Sequence, residues 1–149
     1  MEAILPTGLD VCFTSDWSDS FDGAKLDLSN LGTHRVHPGW ELPVKTGNRY
    51  WDRPLRAGEV GCSLSHLACW VDASQAGSNE PSLFFEDDVI FDDDFSGRLD
   101  ALLQAADRAD PSWGLLYLGR SGHATDESIG PGLLRPGFSY GSFGYALSP

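Results

Sequence analysis

Apolar residues at Leu64, Leu67, Ala68 and Val71 recur at i, i+3, i+4 and i+7. That is the spacing of one helix face, and it predicts a helix that starts near Gly58 and dissolves in Gly77-Ser78-Asn79-Glu80-Pro81. A short apolar run, Leu83 to Glu86, reads as a strand. Leu99, Leu102, Leu103 and Ala106 then repeat the helical spacing, with Asp94 or Ser96 placed to cap the start and Pro111 beyond the end. Leu115-Leu116-Tyr117-Leu118 follows as a second strand ended by Gly119. Strand, helix and strand in this order predict a βαβ unit with two parallel strands. Ligands of open parallel sheets bind beyond the strands' carboxyl ends, where Glu86-Asp87-Asp88 and Gly119-Arg120 both fall.

Outside this unit the pattern is weaker. Leu9 to Phe13 suggests a strand, and Thr14 to Gly23 a polar loop. The stretch up to Pro54 is punctuated by Pro38-Gly39, Pro43 and Gly47-Asn48 and reads as irregular. Ser121 to Gly132 is expected to be a polar loop. Phe138 to Leu147 alternates aromatic and small residues, which suits a strand or a glycine-rich loop close to a ligand.

The 149 residues fit one domain, 1–149, with one core. Ten Lys plus Arg against a net charge of −12 leave no basic stripe to neutralise phosphates, which argues against a nucleic-acid partner. No apolar run is long enough for a transmembrane segment, and the first residues lack the basic and apolar regions of a signal peptide. Cys12, Cys62 and Cys69 are an odd set. The last two, seven apart on a helix, would be separated by about 10 Å of rise, too far for a disulfide.

The run Phe84-Phe85-Glu86-Asp87-Asp88-Val89-Ile90 places three acids among apolar neighbours. At about 4 Å and an effective dielectric near 20, each like-charged pair costs about 4 kcal/mol. A divalent cation reverses that sign, and hard oxygen ligands suit Mg²⁺, Mn²⁺ or Ca²⁺. A solvated strand end is the bland alternative. If the strand continues through the acids, Glu86 and Asp88 share a face and can converge on one ion as metal ligands, while Asp87 points the other way. Asp92-Asp93-Asp94 reads as a solvated turn that favours the next helix's N-terminus. Cys62, His66 and Cys69 lie on one helix face but lack a fourth soft ligand, so two buried thiols beside a hydrogen-bonded histidine is the preferred reading. Ser65 and His66 are alternative nucleotide-facing residues.

In order, these blocks resemble glycosyltransferase family 25, which includes bacterial lipooligosaccharide galactosyltransferases and procollagen-modifying enzymes. The resemblance runs through Pro38-Gly39-Trp40, Arg53-Pro54-Leu55, Gly58-Glu59-Val60-Gly61-Cys62-Ser63-Leu64-Ser65-His66, Phe85-Glu86-Asp87-Asp88-Val89, Leu116-Tyr117-Leu118-Gly119-Arg120 and Tyr140 with Gly144-Tyr145-Ala146-Leu147. It implies an α/β, GT-A-like (Rossmann-like) fold, a mostly parallel sheet flanked by helices and incomplete at both ends. It further implies a UDP-sugar donor such as UDP-galactose, a saccharide or glycoprotein acceptor, a Mn²⁺ (or Mg²⁺) ion and inversion at the anomeric carbon. By position, Asp87 and Asp88 become catalytic candidates, Glu86 and Asp88 metal ligands, and Glu86, Ser65, His66, Arg120 and Tyr140 donor-binding residues. Bacterial relatives imply a cytoplasmic location and animal ones the endoplasmic reticulum lumen. Gly114 replaces an acid frequent in the family, and no family-type opening strand precedes Leu9. A non-catalytic binding or adhesion module is therefore the alternative function, and a metal-dependent hydrolase a weaker third.

Overall fold

The structure, a computed structural model, describes residues 21–32, 53 and 55–149. The expected strand Leu9–Phe13 and the Pro38-Gly39-Trp40 block lie outside the described residues. The chain forms two compact units, Val11–Gln75 and Ala76–Pro149 together with Met1–Asp10.

In the first unit the predicted helix is α1, Ala57–Ala76. Its start is fixed by a capping arrangement: the Arg56 backbone N–H donates to Glu59 Oε2 at 2.7 Å, three residues into the helix. Only Val60 and Gly61 are buried along it, while Leu67, Trp70 and Val71, on or beside the predicted apolar face, are exposed.

The second unit is built on a three-stranded sheet of β1 (Ser82–Phe85), β2 (Leu115–Gly122) and β5 (Ser139–Leu147), in the order β1-β5-β2. Helix α2, Phe95–Ala109, joins β1 to β2. β1 and β2 run in the same direction, as expected, but they are not neighbours. β5 inserts between β1 and β2 and runs antiparallel to both. The crossover reading still gives β1 and β2 a common direction, but hydropathy says nothing about which strand fills the gap between them.

β5 carries the core because it is covered on both sides. Tyr145 is 1% exposed and pairs with Phe84 on one side and Tyr117 on the other. Its ring stacks on Phe84 at 5.1 Å. Next to it, Gly144 pairs with both Phe85 and Gly119. A Cβ at Gly144 would stand 2.8 Å from the Phe85 ring, so glycine is what lets that ring lie across the strand.

The stretch expected to be a polar loop, Ser121 to Gly132, contains a strand, β3 (Glu127–Gly130), which forms a hairpin with β4 (Leu133–Arg135) just beyond it. Gly132, with φ of 76°, turns the chain between them. The second strand also runs further than expected: β2 passes through Gly119 to Gly122.

Candidate functional site

Glu86, Asp87 and Asp88 do not continue β1. The strand ends at Phe85 and the chain turns, with Val89 N–H donating to Glu86 O at 3.4 Å. The expected shared face of Glu86 and Asp88 is therefore absent, because a turn has no period of two. Glu86 is half-buried and its backbone N–H donates to Phe143 O at 3.1 Å, while Asp87 and Asp88 are exposed. Among the described residues the three carboxylates do not converge into a ready cage.

The turn is nevertheless well held. Phe85, Phe91 and Phe95 pack edge to face at centroid distances of 4.8, 5.7 and 4.7 Å, tying the strand end, the loop and the start of α2 together. Arg98 Nη1 donates to Asp92 Oδ2 at 2.7 Å across the same loop. This explains the odd sequence: the phenylalanines turn inward and the acids outward. Asp87 and Asp88 carry oxygen donors of the type that divalent cations take and join no ion pair among the described residues, but their oxygens are not gathered around one point. Asp94 sits at the N-cap of α2 without a side-chain capping bond.

Arg120 and Tyr140 lie on the same sheet toward the same end. Arg120 is largely buried, and its Nη2 donates to Asp126 Oδ2 in a close ion pair. Asp126 Oδ1 also accepts from Gly137 N–H at 3.0 Å. The Gly137 bond first, and Arg120 second, hold the Asp126 carboxyl below its ordinary pKa. The charge of Arg120 is thus already answered by a carboxylate. Tyr140 is buried, with its ring against His123 at 4.8 Å and Phe138 at 5.0 Å. Sequence reasoning missed Asp126. Its partner Gly137 is eleven residues away, across a hairpin that the polar composition hid.

Ser65 and His66 lie in the first unit on α1, both half-buried. The Ser65 hydroxyl donates back to Gly61 O at 3.1 Å, a helix-internal bond. Cys62 is exposed rather than buried as expected, and Cys69 is half-buried. Just ahead of the helix, Arg53 grips Glu59 with two bonds of 2.9 and 2.8 Å. The Arg53 bond is the main reason the Glu59 carboxyl titrates below its usual range.

Beside the acidic turn, α2, β2 and β4 enclose an open groove of about 490 Å³. Ile90, Phe91, Leu99, Leu115, Leu134 and Phe143 give it an apolar lining. None of Glu86, Asp87 or Asp88 lines it.

The second unit's strands, helix α2 and acidic turn define an α/β unit with carboxylates at one end of its sheet, and comparison with known proteins gives this class a family. Residues 37–123 match glycosyltransferase family 25 (LPS biosynthesis protein), and the chain belongs to that family. It is similar to human inactive glycosyltransferase 25 family member 3, with 38% identity over 87% of this chain and 22% of the relative. Similarity extends to mouse procollagen galactosyltransferase 2, at 33% identity over 87% of this chain and 21% of the relative. It also reaches Xenopus laevis procollagen galactosyltransferase 1-B, at 35% identity over the same two shares. The chain thus spans about a fifth of the length of these curated relatives. No solved structure matches it. Among the described residues, no helix is long and apolar enough to cross a membrane.

Proposed function

We propose that this chain is the donor-binding part of a glycosyltransferase that moves a hexose, galactose by analogy with its relatives, from a UDP-sugar to a saccharide or hydroxylated polypeptide acceptor. The observation that carries this reading is the held turn at the end of β1, which presents Asp87 and Asp88 to solvent within the stretch that matches the family. In this reading the antiparallel triplet β1-β5-β2 is one piece of a larger GT-A-type sheet. The animal relatives favour the endoplasmic reticulum lumen over the cytoplasm as the working compartment.

Asp88 and Glu86 are the residues that would hold a Mn²⁺ or Mg²⁺ ion, with Asp87 beside them. Bound there, such an ion supplies Lewis-acid stabilisation to a departing diphosphate. Asp87 is the carboxylate left to orient the sugar or to draw the proton from the acceptor hydroxyl, as that oxygen bonds to the anomeric carbon and the bond to diphosphate breaks with inversion. Arg120 reaches a phosphate only if Asp126 shares it, since that carboxylate already holds its guanidinium. Tyr140 supports the sheet end from within the core. Ser65 and His66, on α1, are proposed as donor-binding residues by family position alone.

Thermal unfolding with Mn²⁺ and UDP tests the reading. A ligand at about 100 times its dissociation constant stabilises the fold by about 2.7 kcal/mol. The intact chain is expected to show a shift that needs both ligands, and Asp88→Ala is expected to lose it. An identical shift in Asp88→Ala would overturn the assignment.

A second reading is favoured by two observations. The three carboxylates do not converge, and a relative at 38% identity is described as inactive. It makes the chain a non-catalytic family member that keeps the fold. It predicts folding independent of metal and no consumption of UDP-galactose with any acceptor.

A further inference from the structure

We propose that the groove between α2, β2 and β4, together with the loop that carries Ile90, is a docking surface for a polypeptide segment bearing both basic and apolar side chains. Ile90 is 88% exposed, an unusual state for a large aliphatic side chain in a loop that is otherwise well anchored. It borders a groove whose apolar lining continues through Leu134, 54% exposed, and Phe143, 44% exposed. Packing on these three side chains gives a partner its apolar contact area.

Charge selects the kind of partner. Asp87 and Asp88 precede Ile90 and Asp93 and Asp94 follow it, all exposed and in no ion pair among the described residues. The two charged pairs next to the groove are already neutralised, Asp92 by Arg98 and Arg120 by Asp126. What remains around Ile90 is negative. A second copy of this chain, with its net charge of −12, would set like charges against one another. Anionic lipid headgroups and nucleic acids are repelled for the same reason. A segment with lysine or arginine beside leucine-like residues satisfies both the apolar lining and the acidic rim, and is steered toward them. The surface needs neither metal nor donor, so it stands whether or not the chain transfers sugar.

The test uses a short labelled peptide of alternating lysine and leucine, followed by fluorescence anisotropy with the intact chain. The expected result is saturable binding that weakens with salt and is absent for the glutamate-leucine counterpart. Ile90→Ser is expected to weaken it about tenfold, the size expected when one aliphatic contact is lost. Asp93→Asn with Asp94→Asn is expected to weaken it several-fold and flatten the salt dependence. Glu80→Gln with Asp100→Asn, the same loss of charge at exposed positions outside the groove lining, is expected to leave it nearly unchanged, with circular dichroism verifying the fold of each variant. Equal losses from the two double variants would reduce the effect to net charge and overturn the proposal. Unchanged binding in Ile90→Ser would do the same. Self-association lost in Ile90→Ser, without peptide binding, would give the surface to a second copy instead.

Discussion

Gly61 has no side chain because there is no room for one: a Cβ there would stand 2.4 Å from the carbonyl oxygen of Phe21 and 3.0 Å from Gly23 N. Both neighbours are backbone and cannot rotate aside. Gly61→Ala is therefore expected to destabilise by about 1–3 kcal/mol, the usual size of an overpacking penalty, measured as a lower urea midpoint with unchanged slope. The same reasoning explains part of the Gly58-to-His66 block. Glu59 caps the helix and grips Arg53, and Gly61 admits a neighbouring segment, so those two positions serve the architecture before any chemistry. The residue types were visible in the sequence. Their reasons were not, because a close backbone approach leaves no mark on hydropathy.

At the scale of elements, β5 and the β3–β4 hairpin decide most. Tyr145 is the one large side chain among the described residues that is fully buried, so Tyr145→Ala is expected to lower stability by about 3–5 kcal/mol in chemical denaturation. The hairpin is tied to the sheet through Asp126, which holds both Arg120 and Gly137. Its folded pKa is depressed, so its stabilising effect is complete above the unfolded carboxyl value, about 3.9. That effect is lost as pH falls through the folded value. Acid unfolding of Asp126→Asn, followed by circular dichroism, is expected to show a weaker dependence on pH in that window than the parent chain. Both helices were legible from their 3.6-residue periods, and β1, β2 and β5 from short apolar or alternating runs. The hairpin was not, since two short, mostly exposed strands around the Pro131-Gly132 turn look like any polar loop. Nor was pairing, since a strand's own sequence does not name its neighbour.

For the whole molecule, charge and exposed apolar surface act against each other. A net charge of −12 sets copies to repel one another near neutral pH, against the pull of Ile90, Leu134 and Phe143 standing in solvent. As pH falls toward the isoelectric point of about 4.4, that repulsion fades, and light scattering is expected to report association that Ile90→Ser reduces. The acidic turn shows the division between the two levels of description. Sequence by itself determined the helices, the apolar runs, the cluster of acids and the family, because periodicity, composition and ordered motifs are local properties of the chain. Tertiary structure alone decided that β5 separates β1 from β2 and that Phe85, Phe91 and Phe95 close over one another. It also turned Asp87 and Asp88 outward instead of along a strand. Each of these outcomes depends on contacts between distant positions, and such contacts are set by how whole elements fill space rather than by any one segment's preference.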